Sequence, residues 1–163
     1  MGKIAFVFAG QGAQYPGMGK ALYETSAAAK AVFDAAEAIR PGTIHQCFEG
    51  TKEELTITAN TQPCMFVTDW ACAAAVQEAG IEPEAVAGFS LGEVAAVGFA
   101  GVMTFEDAFR AVIRRGELVA LGPTDEVRGW PRSRTCSSSS WTRGAPPPRR
   151  AARPAPETKE EQP

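Results

Sequence analysis

Ile4-Ala5-Phe6-Val7-Phe8 is an uninterrupted apolar run that stops before Gly10. Without polar alternation, such a run predicts a strand buried on both faces of a parallel sheet. From Gly17 to Arg40, Leu22, Val32, Phe33 and Ile39 recur between charges in an Ala-rich stretch that Pro41-Gly42 ends, which predicts a helix. Thr51 with Glu54, and Thr104 with Asp107, have the spacing of capping boxes that open helices. Another helix is expected from Gln62 to Ala79, stopped by Gly80. Val86 to Phe89 is a short apolar segment, followed by small residues from Leu91 to Ala100 and by a helix from Phe105 to Leu121. Strand and helix alternate, so an α/β layered fold is expected, and no internal repeat is visible.

Composition divides the chain in two. Residues 1–127 hold 8 Lys and Arg against 16 Asp and Glu, whereas residues 128–163 hold 8 against 3. After Val127 there is no Val, Ile, Leu, Met, Phe or Tyr, and 7 of the 12 prolines fall there. Such a segment cannot build a packed core. The expected organisation is one folding unit over 1–127 and a disordered Arg-, Pro- and Ser-rich tail over 128–163. Cys47, Cys64, Cys72 and Cys136 are irregularly spaced, with His45 the single histidine, so neither a metal site nor a disulfide framework is expected. No apolar run reaches the ~20 residues of a spanning helix, and Ile4 to Ala9 is too short for a signal-peptide core. A cytoplasmic setting without membrane attachment is the expectation.

Gly88-Phe89-Ser90-Leu91-Gly92 has the Gly-x-Ser-x-Gly form of a nucleophile elbow, in which small residues let a strand turn sharply into a helix. A helix start in which Ser90 merely caps its own backbone fits the same residues. Gly10-Gln11-Gly12 follows the first strand and is either a plain strand-ending turn or a loop aiming backbone N–H groups at an oxyanion. It fails the dinucleotide fingerprint because Tyr15 stands at the third glycine position, and Gly19-Lys20-Ala21 fails the phosphate-loop pattern.

Phe8-Ala9-Gly10-Gln11-Gly12-Ala13-Gln14, Asn60-Thr61-Gln62-Pro63, Gly88-Phe89-Ser90-Leu91-Gly92-Glu93 and Arg114-Arg115-Gly116-Glu117-Leu118 stand in the order found in malonyl-CoA:acyl carrier protein transacylases. The chain resembles that family from residue 3 to residue 122, and its free-standing members of fatty-acid synthesis more than a polyketide synthase module. The resemblance implies an α/β-hydrolase-like large domain with a parallel sheet. Ser90 would accept the malonyl group from malonyl-CoA and pass it to the phosphopantetheine thiol of acyl carrier protein. The amides of Gln11 and Leu91 would form the oxyanion hole, and Arg115 would bind the malonyl carboxylate through its two-pronged guanidinium. Arg114 would be a solvated helix-face residue. No cofactor or metal is implied, malonyl-CoA being a substrate.

The chain departs from the family in several places. Phe89 stands where many members have His. The later ferredoxin-like subdomain, and the returning segment that carries the catalytic His, find no counterpart, so the expectation is an incomplete N-terminal part of the large domain without turnover. His45 lies upstream of Ser90 and reads as an ordinary loop histidine. Missing later strands and helices would leave the apolar faces of Ile4 to Phe8 and of the Phe105 helix partly uncovered. Gly129-Trp130-Pro131-Arg132-Ser133 is what a family-like segment gives when read one base out of frame, so a frameshift is the expected origin of the tail. Rival readings are a serine hydrolase of α/β-hydrolase type and a non-enzymatic fragment whose tail, with seven arginines from Arg128 to Arg153, attracts nucleic acid.

Overall fold

The computed structural model describes residues 3–122. The expected tail, its frameshift origin and its nucleic-acid reading lie outside the described residues. Strand β1 (Ala5–Phe8) is followed by helices α1 (Lys20–Thr25), α2 (Ala27–Ile39), α3 (Thr43–Glu49), α4 (Lys52–Thr56) and α5 (Thr58–Glu78). Strand β2 (Ala85–Gly88) and helices α6 (Leu91–Phe99) and α7 (Phe105–Leu121) complete the described chain. β1 and β2 pair in parallel, Ala5 opposite Ala85 and Phe8 opposite Gly88. The architecture is α/β as expected, but mostly helical with a small parallel sheet.

α5 is the central element, with α2 and α7 packed along it. Phe66 and Val67 on α5, Phe33 on α2 and Phe109 and Val112 on α7 are fully buried. The rings of Phe66, Trp70, Phe105 and Phe109 lie 5.2–5.8 Å apart in tilted, edge-on and stacked pairs, spacings at which aromatic pairs attract beyond their burial. Phe99 of α6 joins this cluster to Phe6 and Phe8 of β1.

Three expectations change. The single helix from Gly17 to Arg40 is two helices, because the Ser26 backbone is extended and its hydroxyl accepts the Ala29 amide, ending α1 and capping α2. The helix expected from Gln62 begins at Thr58, since the Asn60 and Thr61 amides already bond the Ile57 carbonyl; Pro63 therefore lies inside it. The third correction is to β1, which is covered on one face: Phe6 and Phe8 turn toward α6, while Val7 is 76% exposed. Among the described residues no element lies over Val7. Leu118, Val119 and Leu121 of α7 are exposed as well.

The Thr51–Glu54 capping box forms with both of its bonds. Thr104 accepts the Asp107 amide, but among the described residues the reciprocal bond is not made, so this cap is half a box. α3 was not foreseen in the sequence.

Candidate active site

β2 ends at Gly88 and α6 begins at Leu91, so Phe89 and Ser90 must reverse the chain within two residues. Ser90 has φ 53 and ψ −100, and among the described residues it is the only non-glycine with positive φ. A backbone held in this sparsely populated region marks a position the surrounding structure enforces. Gly88 and Gly92 explain how: a Cβ on Gly88 would collide with the Gly92 backbone, and one on Gly92 would collide with the Phe8 and Ala9 carbonyls. Ser90 makes no capping bond to its helix. The elbow geometry therefore holds and the simple capping alternative does not.

The hydroxyl instead meets α7. Arg115 Nη2 donates to Ser90 Oγ at 3.0 Å, and Arg115 Nη1 donates to Gln62 Oε1 at 2.7 Å. Gln62 is 1% exposed in the first turns of α5. Gly116, next to the arginine, lets α7 approach α5 closely, since a Cβ there would sit 3.3 Å from both the Ala59 Cα and the Thr58 carbonyl oxygen. Thus α5 fixes the glutamine, the glutamine fixes one prong of the guanidinium, and the second prong reaches the serine. Among the described residues Arg115 is in no ion pair, whereas its neighbour Arg114 turns to solvent and pairs with Glu117 at 2.8 Å. Arg115 thus presents a cation to the space in front of Ser90, and Arg114 has the solvated position expected of it.

Gly10-Gln11-Gly12 packs against the elbow: a Cβ on Gly10 would meet the Phe89 ring and carbonyl. The Gln11 side chain donates to Thr58 Oγ1 at 3.2 Å, tying the turn to the start of α5, and the Gly12 amide donates to the Gln14 side chain. Among the described residues the backbone amides of Gln11 and Leu91 have no hydrogen-bond acceptor. Leu91 opens α6, where the first amides are free by construction and the helix dipole favours negative charge. Phe89 is 73% exposed beside Ser90. His45 sits exposed on α3 near Glu49 and is not among the bonding partners of Ser90.

Gln62 and Thr58 are the contributors whose roles sequence reasoning missed. Asn60-Thr61-Gln62-Pro63 stood out only as a motif, with no role for its glutamine. A buried glutamine beside a proline was the available signal, because a buried side-chain amide requires partners.

A model of the acyl transferase domain family matches residues 5–126. The malonyl CoA-acyl carrier protein transacylase of Bacillus subtilis strain 168 is 48% identical over 120 residues, 73% of this chain and 38% of the relative. The crystal structure of the Synechocystis sp. PCC 6803 malonyl-CoA:ACP transacylase superposes with TM-score 0.69 and 40% identity, over 74% of this chain and 41% of that one. A malonyl-transacylase solved in complex with a type II polyketide acyl-carrier protein superposes with TM-score 0.70 and 34% identity, over 76% of this chain and 40% of that one. The chain spans about two fifths of the length of these relatives. Among the described residues no helix is long and apolar enough to cross a membrane.

Proposed function

Because the chain belongs to the acyl transferase domain family, we propose that it carries the acyl-serine half of a malonyl-CoA:acyl carrier protein transacylase site, on an α/β-hydrolase-like domain over residues 1–127. The observation that carries this reading is the Arg115 guanidinium, held by Gln62 and directed at the Ser90 hydroxyl. An ordinary serine hydrolase has no need of a fixed cation beside its nucleophile. A donor with a free carboxylate does: malonyl bound with its carboxylate on Arg115 brings its thioester carbonyl toward Ser90.

In the proposed reaction the Ser90 oxygen attacks the thioester carbonyl of malonyl-CoA. The amides of Gln11 and Leu91 stabilise the developing oxyanion, and collapse expels coenzyme A, whose sulfur leaves with the proton that the Ser90 hydroxyl gives up through solvent, to leave malonyl-Ser90. The phosphopantetheine thiol of acyl carrier protein then takes the malonyl group, the step that feeds fatty-acid synthesis. No cofactor enters either step. A cytoplasmic setting goes with this reading.

Ser90 lacks an imidazole partner in this sequence, because the single histidine is His45. A serine hydroxyl without a general base is a weak nucleophile, and loss of one member of such a unit lowers rate by several orders of magnitude. Slow acylation without measurable turnover is therefore expected.

Prolonged incubation with labelled malonyl-CoA, followed by mass spectrometry of the Ser90 peptide, tests the proposal. A malonyl adduct on Ser90 that disappears in Ser90→Ala is the expected outcome. An adduct that survives the substitution, or no adduct in the unsubstituted chain, overturns the acyl-serine step.

A further inference from the structure

Threonines inside the helices turn their hydroxyls back onto the chain. Thr25 donates to the Ala21 carbonyl, Thr56 to that of Lys52, Thr61 to that of Ile57 and Thr68 to that of Cys64, each four residues upstream. Thr58 departs from this pattern. It opens α5, and the carbonyl four residues upstream, that of Glu54, is already taken by the Ile57 amide and the Asn60 side chain. Among the described residues its hydroxyl has one partner, the side-chain amide of Gln11, which donates to it at 3.2 Å across 47 positions of sequence.

Gln62 follows Thr58 by four residues on α5, so the two side chains leave the same face of the helix one turn apart. Gln62 holds the Arg115 guanidinium and Thr58 holds Gln11. The turn that bears Gln11 has little else to fix it. Gly10 rests on Phe89, and Gly12, at φ 119, gives its amide to Gln14 within the turn itself. Among the described residues, the bond to Thr58 is the one hydrogen bond that joins the segment from Gln11 to Gln14 to another element.

We propose that Thr58 is a positioning residue: by accepting from the Gln11 side chain it sets the turn, and with it the Gln11 backbone amide, against the helix face that also sets Arg115. Its effect on acylation rests on the oxyanion role proposed for Gln11, whereas the placement of the turn does not. One turn of α5 then fixes the spacing between the cation that receives a carboxylate and the amide that receives an oxyanion. The two helix residues differ in what they control. Arg115, held by Gln62, distinguishes donors by their carboxylate, but Thr58 acts on the thioester carbonyl that every donor shares.

Rates of Ser90 labelling in the full chain, with labelled malonyl-CoA and acetyl-CoA, test this together with proton–nitrogen correlation spectra of Gln11. Thr58→Val removes the acceptor and keeps the shape, Thr58→Ser keeps the acceptor, and Gln11→Leu removes the side-chain donor and keeps the backbone amide. Thr58→Val should slow labelling by both donors by the same factor, about 2- to 10-fold for one exposed neutral hydrogen bond. The malonyl-CoA concentration that gives half the maximal rate should not change. Thr58→Ser should restore the rate, and Gln11→Leu with Thr58→Val should be no slower than either alone. Both the side-chain and the backbone amide resonances of Gln11 should move in Thr58→Val, and neither in Thr56→Val on α4. A loss confined to malonyl, multiplying losses in the double variant, or a Gln11 backbone resonance that stays in place overturns the proposal. If the resonances move while the parent Ser90 accepts no acyl group from either donor, Thr58 still places the turn and the proposed reaction falls.

Discussion

On the α5 side of the molecule Phe33, Phe66 and Phe109 are sealed between α2, α5 and α7, whereas on the sheet side β1 leaves Val7 76% exposed and pairs only with β2 among the described residues. The candidate site lies on the seam. Arg115 and Gln62 come from the sealed side, and the Ser90 elbow and the Gly10-Gln11-Gly12 turn come from the ends of the open strands. The contrast separates two ways of placing a functional group. On the helical side, position follows from packing, since Gly116 brings two helices together and the arginine inherits their rigidity. On the sheet side, position follows from local backbone devices: the positive φ of Ser90 and the bare glycines around it.

The most damaging way to probe this contrast is to remove bulk from each side. Phe66→Ala should cost about 3–5 kcal/mol of stability, a large share of the about 5–15 kcal/mol a domain has. Val7→Ser should change stability by no more than about 0.5 kcal/mol, because its side chain is already in water. Urea titrations followed by circular dichroism give both values. A large cost at Val7 would mean that its face is covered in solution.

At the seam, the two arginines of α7 should separate sharply. Arg115→Ala should lower malonyl labelling of Ser90 about 10- to 100-fold relative to acetyl labelling, since a hydrogen-bonded charge contributes about 1.5–3 kcal/mol and only malonyl carries the matching anion. Arg114→Ala should change neither donor by more than about twofold, as its pair with Glu117 is exposed. Competition between the two labelled coenzyme A esters measures the ratio, and equal losses for both donors would take the carboxylate-binding role from Arg115.

The last contrast concerns pH. The unfolded chain releases the Asp69 proton near 3.8 and the folded chain, which buries this carboxyl between α5 and β1, near 7, so the folded state holds the extra proton between those values. This group's contribution to stability is therefore greatest at low pH, declines as pH rises through that window and is constant above it. Melting temperatures of the parent and of Asp69→Asn should converge toward pH 4, and the variant should melt higher at pH 8. Parallel curves across the window would mean that Asp69 is hydrated in solution.

The features legible in the sequence were those written in short-range chemistry. Gly88 and Gly92 around Ser90 announce an elbow because only glycine tolerates the backbone contacts they make, and Thr51 with Glu54 closes its box within a single turn. What stayed hidden depends on distant partners. The break at Ser26 lies in a run of helix-forming residues, and besides capping α2 its hydroxyl is bonded to Glu78 at the far end of α5. Gln62 acquires its role only when Arg115 arrives from another helix. The open face of β1 has the same apolar sequence as a covered one, because composition records what a strand prefers to touch and not which neighbours are present.

The register of the sheet also bears on assembly. Pairing Ala5 with Ala85 closes a loop that contains α1 to α5, a closure that is entropically demanding and slow compared with helix formation. The turn bearing Gln11 leaves one of these strands and the elbow bearing Ser90 leaves the other. Ser90 and the turn therefore meet in the same slow closure, and a chain with its helices formed but its strands unpaired would display normal helicity while lacking the candidate site.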